Sequence, residues 1–325
     1  MTATEKDVWI GFDLGGTKML AKVFDSDFKS LGQARTKTKG YEGVKAGIDR
    51  ITSTVRSALK SADIDAKDLS GIGIGCPGPL DLEEGIILSA PNLGWSGVHI
   101  KKHLEEEFSC PTIIVNDVDA GVYGEYRFGA AAKARTALGV FPGTGIGGGC
   151  VYDGQIIRGK TTSCMEIGHV QVVPHGPLCG CGHRGCLEAV ASRLVIAAQC
   201  SAAAYRGQAP YLMKNVGTDL KDIRSGALSA AISAGDKQVE RIVRDAAKHI
   251  GYAVASMVNV LAPDVVVLGG GLVEAMTKLF IGEVRHTAKD RVMPALFDAF
   301  DVVPAELGDN AGVIGAAAWA EHELS

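Results

Sequence analysis

A strand, a glycine-rich turn and a second strand occur in that order twice in this 325-residue chain, once in each half. The first copy runs Val8-Trp9-Ile10-Gly11-Phe12-Asp13, then Leu14-Gly15-Gly16-Thr17, then Lys18 to Phe24. The second runs Ala137 to Phe141, then Pro142-Gly143-Thr144-Gly145-Ile146-Gly147, then Gly148 to Tyr152. A polar turn follows each, Asp25-Ser26-Asp27 or Asp153-Gly154, and then a third short β-type run. A unit of this kind in each half indicates internal duplication. It constrains the fold strongly, because each half must then build an equivalent sheet.

The segments after each copy agree. Val44 to Ser61 places Val44, Ile48, Ile51, Val55 and Leu59 at helical spacing. Gly71 to Gly75 is predicted to be a buried strand ending in the loop Cys76-Pro77-Gly78-Pro79. Ile113-Ile114-Val115 is predicted to be another, ending at Asn116-Asp117, with a helix from Ala120. In the second half a long helix is expected over Val239 to Leu261 and a fully apolar strand over Asp264 to Leu268, stopped by Gly269-Gly270-Gly271. This alternation indicates an α/β architecture. Ligands of such folds sit at the carboxyl ends of strands, where the glycine turns and Asn116-Asp117 fall. The repeat puts a domain boundary near residue 118.

Composition excludes several partners. The chain is 46% hydrophobic and 22% charged with a net charge of −4, which advertises no basic surface for nucleic acid. Aromatics at 6% argue against base-stacking platforms. Met1 to Asp7 is polar and lacks the charged and apolar regions of a secretory leader. The longest apolar stretch, Tyr252 to Pro263, is broken by Ser256 and Asn259 and is too short to span a bilayer. The expectation is a cytoplasmic protein with no membrane partner, its eight cysteines mostly reduced. Cys76, Cys110, Cys150, Cys164 and Cys200 read as packing residues.

The turns carry chemistry as well as geometry. Asp13-Leu14-Gly15-Gly16-Thr17-Lys18 serves equally as a tight hairpin turn and as a phosphate cradle of backbone N–H groups and the Thr17 hydroxyl. Asp13 could then hold Mg²⁺. The spacing is not that of a Walker A loop. Gly143 to Gly148 and Gly73 to Gly78 both fit G-x-G-x-x-G. A dinucleotide fingerprint needs a helix directly after the turn, whereas a strand follows the first, and Pro77 and Pro79 break the second. Gly143-Thr144 is better read as a second phosphate loop. Asn116-Asp117 reads first as an Asx turn or helix cap, and second as a carboxylate placed to take a proton from a substrate hydroxyl. Gly269-Gly270-Gly271 suits chain reversal or close approach to a nucleoside. Gly308 to Ala317 starts a small-residue helix able to pack closely on a sheet.

Cys179, Cys181 and Cys186 follow Glu166-Ile167-Gly168-His169. Three sulfurs and one nitrogen are the ligand set of a structural tetrahedral Zn²⁺. His169, His175 and His183 all compete for the nitrogen position.

Together these residues resemble the ROK family (repressor, open reading frame, kinase), and within it the bacterial glucokinases. The resemblance runs from Gly11 to Ala318. It is most specific in Asp13 to Lys18, Glu166 to His169 and Cys179 to Cys186. It implies the duplicated, ribonuclease H-like fold of actin and hexokinase, with two lobes around a cleft: residues 1–117 with 307–325, and residues 118–306 bearing the zinc motif. It implies an ATP- and Mg²⁺-dependent hexose kinase acting on a sugar 6-hydroxyl, glucose first, with fructose, mannose, N-acetylglucosamine or N-acetylmannosamine, or a non-catalytic sugar sensor, as alternatives. Polyphosphate is an alternative donor.

By the same resemblance Asp117 is the catalytic base and also binds the substrate, and Asn92, Asn116, Glu166, His169 and Glu188 hold sugar hydroxyls. His169, Cys179, Cys181 and Cys186 are the zinc ligands. Asp13, Gly15, Gly16, Thr17 and Lys18 form the first phosphate motif, Gly143 and Thr144 the second, and Gly270 and Gly271 the adenosine motif. The family is often dimeric or tetrameric, so a homodimer or homotetramer is expected. Leu187, where a large aromatic is frequent, and Val118-Asp119 depart from the common wording and bear on pocket shape.

Overall fold

The computed structural model describes residues 7–160, 162 and 164–325. Of the polar N-terminal segment, residues 1–6 therefore lie outside the described residues.

The first repeat forms β1 (Trp9–Leu14), β2 (Lys18–Phe24) and β3 (Ser30–Lys37). β4 (Gly71–Cys76) follows, then a small antiparallel sheet of β5 (Leu80–Asp81), β6 (Ile86–Ala90) and β7 (Trp95–Val98), then β8 (Thr112–Asn116). The second repeat forms β9 (Thr136–Pro142), β10 (Ile146–Tyr152) and β11 (Gln155–Ile156), with β12 (Val265–Leu268) and β13 (Asp301–Pro304) much later. The two large sheets have the orders β3-β2-β1-β4-β8 and β11-β10-β9-β12-β13. These orders match position by position, so the duplication read from the sequence is realised in the topology. β1 pairs antiparallel with β2 and parallel with β4, and β4 pairs parallel with β8. β12 likewise pairs parallel with β9 and β13.

Contacts group the chain into two compact units. The first holds the described residues of 7–133, 150–164 and 307–325, and the second holds 134–149 and 165–306. The helix Asp117–Phe128, expected in the larger lobe, packs against the helix Ala311–Leu324 inside the first unit. Their backbones touch: a Cβ on Gly315 would lie 1.8 Å from Ala120 O, and one on Gly124 would lie 2.4 Å from Ala311 O. The small-residue helix expected near the C-terminus thus does the packing its composition allows. Among the described residues, no helix is long and apolar enough to cross a membrane.

The same helix lies on the sheet of the first unit through β1 and β4. A Cβ at Gly11 would meet Val313 O at 1.8 Å, and one at Gly73 would meet Ala316 O at 1.8 Å. Backbone on both sides cannot yield as a flexible side chain could. Gly73→Ala is therefore expected to destabilise the protein by about 3 kcal/mol or more, read as a lower urea midpoint. Gly282→Ala, on an open helix surface, is expected to be neutral or slightly stabilising. Equal effects would contradict this packing.

Candidate active site

In the first unit, parallel pairing puts the ends of β1, β4 and β8 side by side. Asp13 is opposite Gly75, and Cys76 is opposite Asn116. Gly75 leaves the space between: its Cβ would stand 3.5 Å from Asp117 Cα and 3.7 Å from Phe12 O. The Cys76 thiol is pushed well above its ordinary value by burial first, then by the charges of Asp117 and Asp13. The thiol thus senses both acids expected to do chemistry.

The helix after β8 starts at Asp117, three residues earlier than the sequence reading places it. The cause is Asn116, whose side-chain oxygen accepts from the N–H groups of Val118 at 2.9 Å and Asp119 at 3.2 Å. Asn116 is thus a helix cap, and its amide NH₂ is the part left for a substrate. Asp117 Oδ1 also accepts from Val118 N–H at 3.0 Å. Its carboxylate sits in the first helical turn, where the helix dipole favours negative charge.

The turn after β1 is braced by a residue the sequence reading missed. Thr38, fully buried, donates from its hydroxyl to Gly15 O at 2.6 Å and from its N–H to Thr17 O at 2.9 Å. The carbonyls of the turn are thereby engaged, leaving its N–H groups as the natural partners of an anion. Gly15 is needed for space, because a Cβ there would meet Lys18 O at 2.8 Å, whereas a Cβ on Gly16 would make only ordinary contact with Asn92 Cβ at 3.7 Å. Asn92, in the turn between β6 and β7, therefore stands beside the phosphate-type turn. Lys18 is held by Asp309 at 2.6 Å, and Arg35 reaches the same carboxylate at 3.4 Å. Lys22 donates to Asn310 at 2.8 Å. The sequence reading took Asp309 and Asn310 only as part of a packing helix.

Burial raises the Asp13 carboxyl from 3.8 to about 6, with Lys18 lowering it, Asp309 raising it and Arg35 lowering it in turn. The folded value is raised, so the contribution of Asp13 to folding is favourable below pH 3.8 and is lost as the pH rises through about 6. A neutral isostere escapes this cost. Asp13→Asn is expected to stabilise the ligand-free protein at pH 7.5 by on the order of 2 kcal/mol, allowing for partial exposure. The gain should shrink as the pH falls from about 6 toward 4, measurable by urea unfolding. A constant difference across that range would remove Asp13 as the cause. A site that accepts such a cost suits a bound cation.

In the second unit, Met165 takes a left-handed backbone at φ 61°, a strained choice for this side chain. The short 3₁₀ turn Ile167–His169 follows Glu166. This segment lies against β10. A Cβ on Gly168 would be 2.2 Å from Ile146 O, and one on Gly148 would be 2.7 Å from Ile167 Cγ2. Glu188 reaches the same strand, its Oε2 accepting from Ile146 N–H at 2.9 Å. Gly145 permits this, since its Cβ would be 2.3 Å from that oxygen. One oxygen of the expected sugar ligand Glu188 therefore holds the second phosphate-type turn. Arg193 ties the other side: its N–H donates to Gly143 O at 2.9 Å and its Nη2 donates to Thr144 Oγ1 at 2.9 Å. Gly270, at φ 84°, turns the chain after β12, and a Cβ there would be 2.9 Å from Pro142 O. Gly271 begins the next helix. Leu187 is fully buried in this unit.

The ligand atoms of His169, Cys179, Cys181 and Cys186 all lie within 4.8 Å of one another. Cys179 Sγ is 3.6 Å from His169 Nδ1, and Cys181 Sγ is 3.7 Å from Cys186 Sγ. A tetrahedral shell with Zn–S bonds of about 2.3 Å needs ligand edges of about 3.8 Å. The donor set and its spacing fit zinc. His169 completes the group, while His183 approaches Cys181 alone, at 3.7 Å, and His175 is not in it. Two glycines shape the knuckle: Gly182 at φ 89° and Gly185 at φ 76°, where a Cβ would strike Val173 O at 1.7 Å. Burial and neighbouring sulfurs push the Cys186 thiol up, whereas the His183 N–H and ring hold Cys181 down.

The description "ROK family" fits residues 9–323 of the chain. The chain belongs to the ROK family. It is 33% identical to the glucokinase of Thermotoga maritima over 316 residues, covering 97% of this chain and 98% of that one. A ROK family glucokinase from Streptomyces griseus, solved in complex with glucose and AMPPNP, superposes with a TM-score of 0.82 at 30% identity, covering 97% of this chain and 99% of that one. A ROK hexokinase from Thermus thermophilus gives a TM-score of 0.80 at 33% identity, covering 98% and 99%. The fold is thus the mixed α/β fold of ROK sugar kinases.

Proposed function

We propose that this ROK protein is an ATP- and Mg²⁺-dependent hexose kinase, with glucose as its first substrate. The observation that carries the reading is the line of strand ends in the first unit. There Asp13 and the Gly15–Thr17 turn stand two strands from Asp117, with Cys76 sensing both acids. Phosphoryl transfer needs positioning and charge neutralisation more than covalent chemistry; these groups supply positioning, and Lys18 with a Mg²⁺ ion at Asp13 would supply neutralisation. Asp117 orients the sugar 6-hydroxyl and takes its proton. Gly15, Gly16, Thr17 and Lys18 hold phosphates, as do Gly143 and Thr144, and Gly270 and Gly271 let a nucleoside approach. Asp13 would hold Mg²⁺, which neutralises phosphate charge when bound.

Asn92, the amide NH₂ of Asn116, Glu166, His169 and Glu188 hold sugar hydroxyls in this reading. Glu188 does so with Oε1, since Oε2 is engaged by Ile146. His169 serves two roles through its two nitrogens: Nδ1 faces Cys179 at 3.6 Å, and Nε2 is left for the sugar. Zinc would supply a closed four-ligand clamp, with no open position for catalysis. The proposal includes a cytoplasmic homodimer or homotetramer.

Glucose, ATP and Mg²⁺ incubated with the protein should yield glucose 6-phosphate by phosphorus NMR. Phosphate on another hydroxyl, or ATP hydrolysis without sugar product, would defeat the proposal.

A further inference from the structure

The second phosphate-type turn, Gly143-Thr144-Gly145, contains no charged side chain. One cation is bonded to it, Arg193, through both backbone and guanidinium. The two turns differ in how their cations are held. Lys18 in the first is paired with Asp309 at 2.6 Å. Arg193 makes no ion pair among the described residues. The neighbouring carboxylate, Glu188, accepts from Ile146 instead.

The hydrogen-bond direction sharpens this. The guanidinium can only donate, so the Thr144 oxygen accepts from it at 2.9 Å. The Thr144 hydroxyl proton is then free to point at an anion. Donation into a hydroxyl also polarises it and strengthens its own donation. A phosphate oxygen about 2.8 Å from that hydroxyl lies within about 6 Å of the guanidinium nitrogen before any side chain moves. A small rotation of the arginine would bring direct contact.

We infer that Arg193 is a donor-binding residue: its guanidinium neutralises the triphosphate tail seated on Gly143-Thr144 and directs the Thr144 proton to the same tail. This rests on the kinase reading above. The inference separates ATP from ADP, because the longer, more charged tail depends more on the cation.

The test is titration of the wild type, Arg193→Ala, Arg193→Lys and Thr144→Val with a non-hydrolysable ATP analogue, ADP and glucose, with steady-state kinetics alongside. Arg193→Ala should bind the ATP analogue about ten- to a hundredfold more weakly. ADP binding should fall less and glucose binding should hold. Arg193→Lys should recover part of the loss, and Thr144→Val should lose a smaller part. Analogue binding within twofold of wild type in Arg193→Ala would overturn the inference. So would an equal fall for analogue, ADP and glucose, which marks a merely structural brace. Failure of the kinase reading shows separately, as a wild type that binds no nucleotide before any variant is compared.

Discussion

Asp117→Asn is expected to lower kcat by about a thousandfold, within the range that a positioned general base contributes. Glucose binding should change by only a few-fold. The substitution is nearly isosteric, and an asparagine oxygen can still accept from Val118 N–H, as Asp117 Oδ1 does at 3.0 Å. Asn116 would go on capping the helix through Val118 and Asp119. What disappears is the proton acceptor, so the loss should fall on kcat. A coupled ADP-release assay with a parallel glucose titration checks it. Full turnover in the variant would remove Asp117 as the base, and a collapse of glucose affinity would make it a binding residue instead.

Removal of the proposed zinc, by chelation or by Cys186→Ala, is expected to lower glucose affinity more than a hundredfold and to loosen residues 166–193. Structural zinc contributes folding free energy directly, on the order of 10 kcal/mol in small sites. The geometry extends the damage. Glu188 follows Cys186, the last proposed zinc ligand, by two residues and holds Ile146, while Arg193 holds Gly143 and Thr144. Loss of metal should therefore also reach the second phosphate-type turn, and spare the first, which Thr38 braces. Hydrogen exchange should show rising amide exchange over 143–148 and 166–193, with 13–18 unchanged. Uniform exchange across all three, or protein that purifies without zinc and binds glucose normally, would contradict this.

The parts of the fold that were legible are the local ones. The two strand–turn–strand units could be read because each fits in under twenty residues and repeats its own pattern. Asp117 could be singled out because it directly follows an apolar strand, yet the helix start was misplaced to Ala120. A cap through Asn116 is a side-chain choice that periodicity does not record. The small sheet β5–β7 carried no clear alternation and was not anticipated. Long-range partnerships were out of reach. The Lys18–Asp309 pair spans 291 residues, and the Glu188–Ile146 bond spans 42. Gly145 is only one more glycine of its turn in the sequence, whereas in the fold its missing side chain makes room for Glu188. The cysteine cluster was legible because its spacing is short, but the choice among His169, His175 and His183 needed the knuckle's shape.

The central claim is that this ROK protein transfers phosphate from ATP to a hexose. Initial rates of ADP release by the wild type, over glucose, fructose, mannose, N-acetylglucosamine and N-acetylmannosamine with ATP and Mg²⁺, test it most directly. Sugar-dependent turnover, fastest with glucose, is the expected result. Tight sugar binding with no ADP release for any hexose would contradict the account and make the protein a sugar sensor.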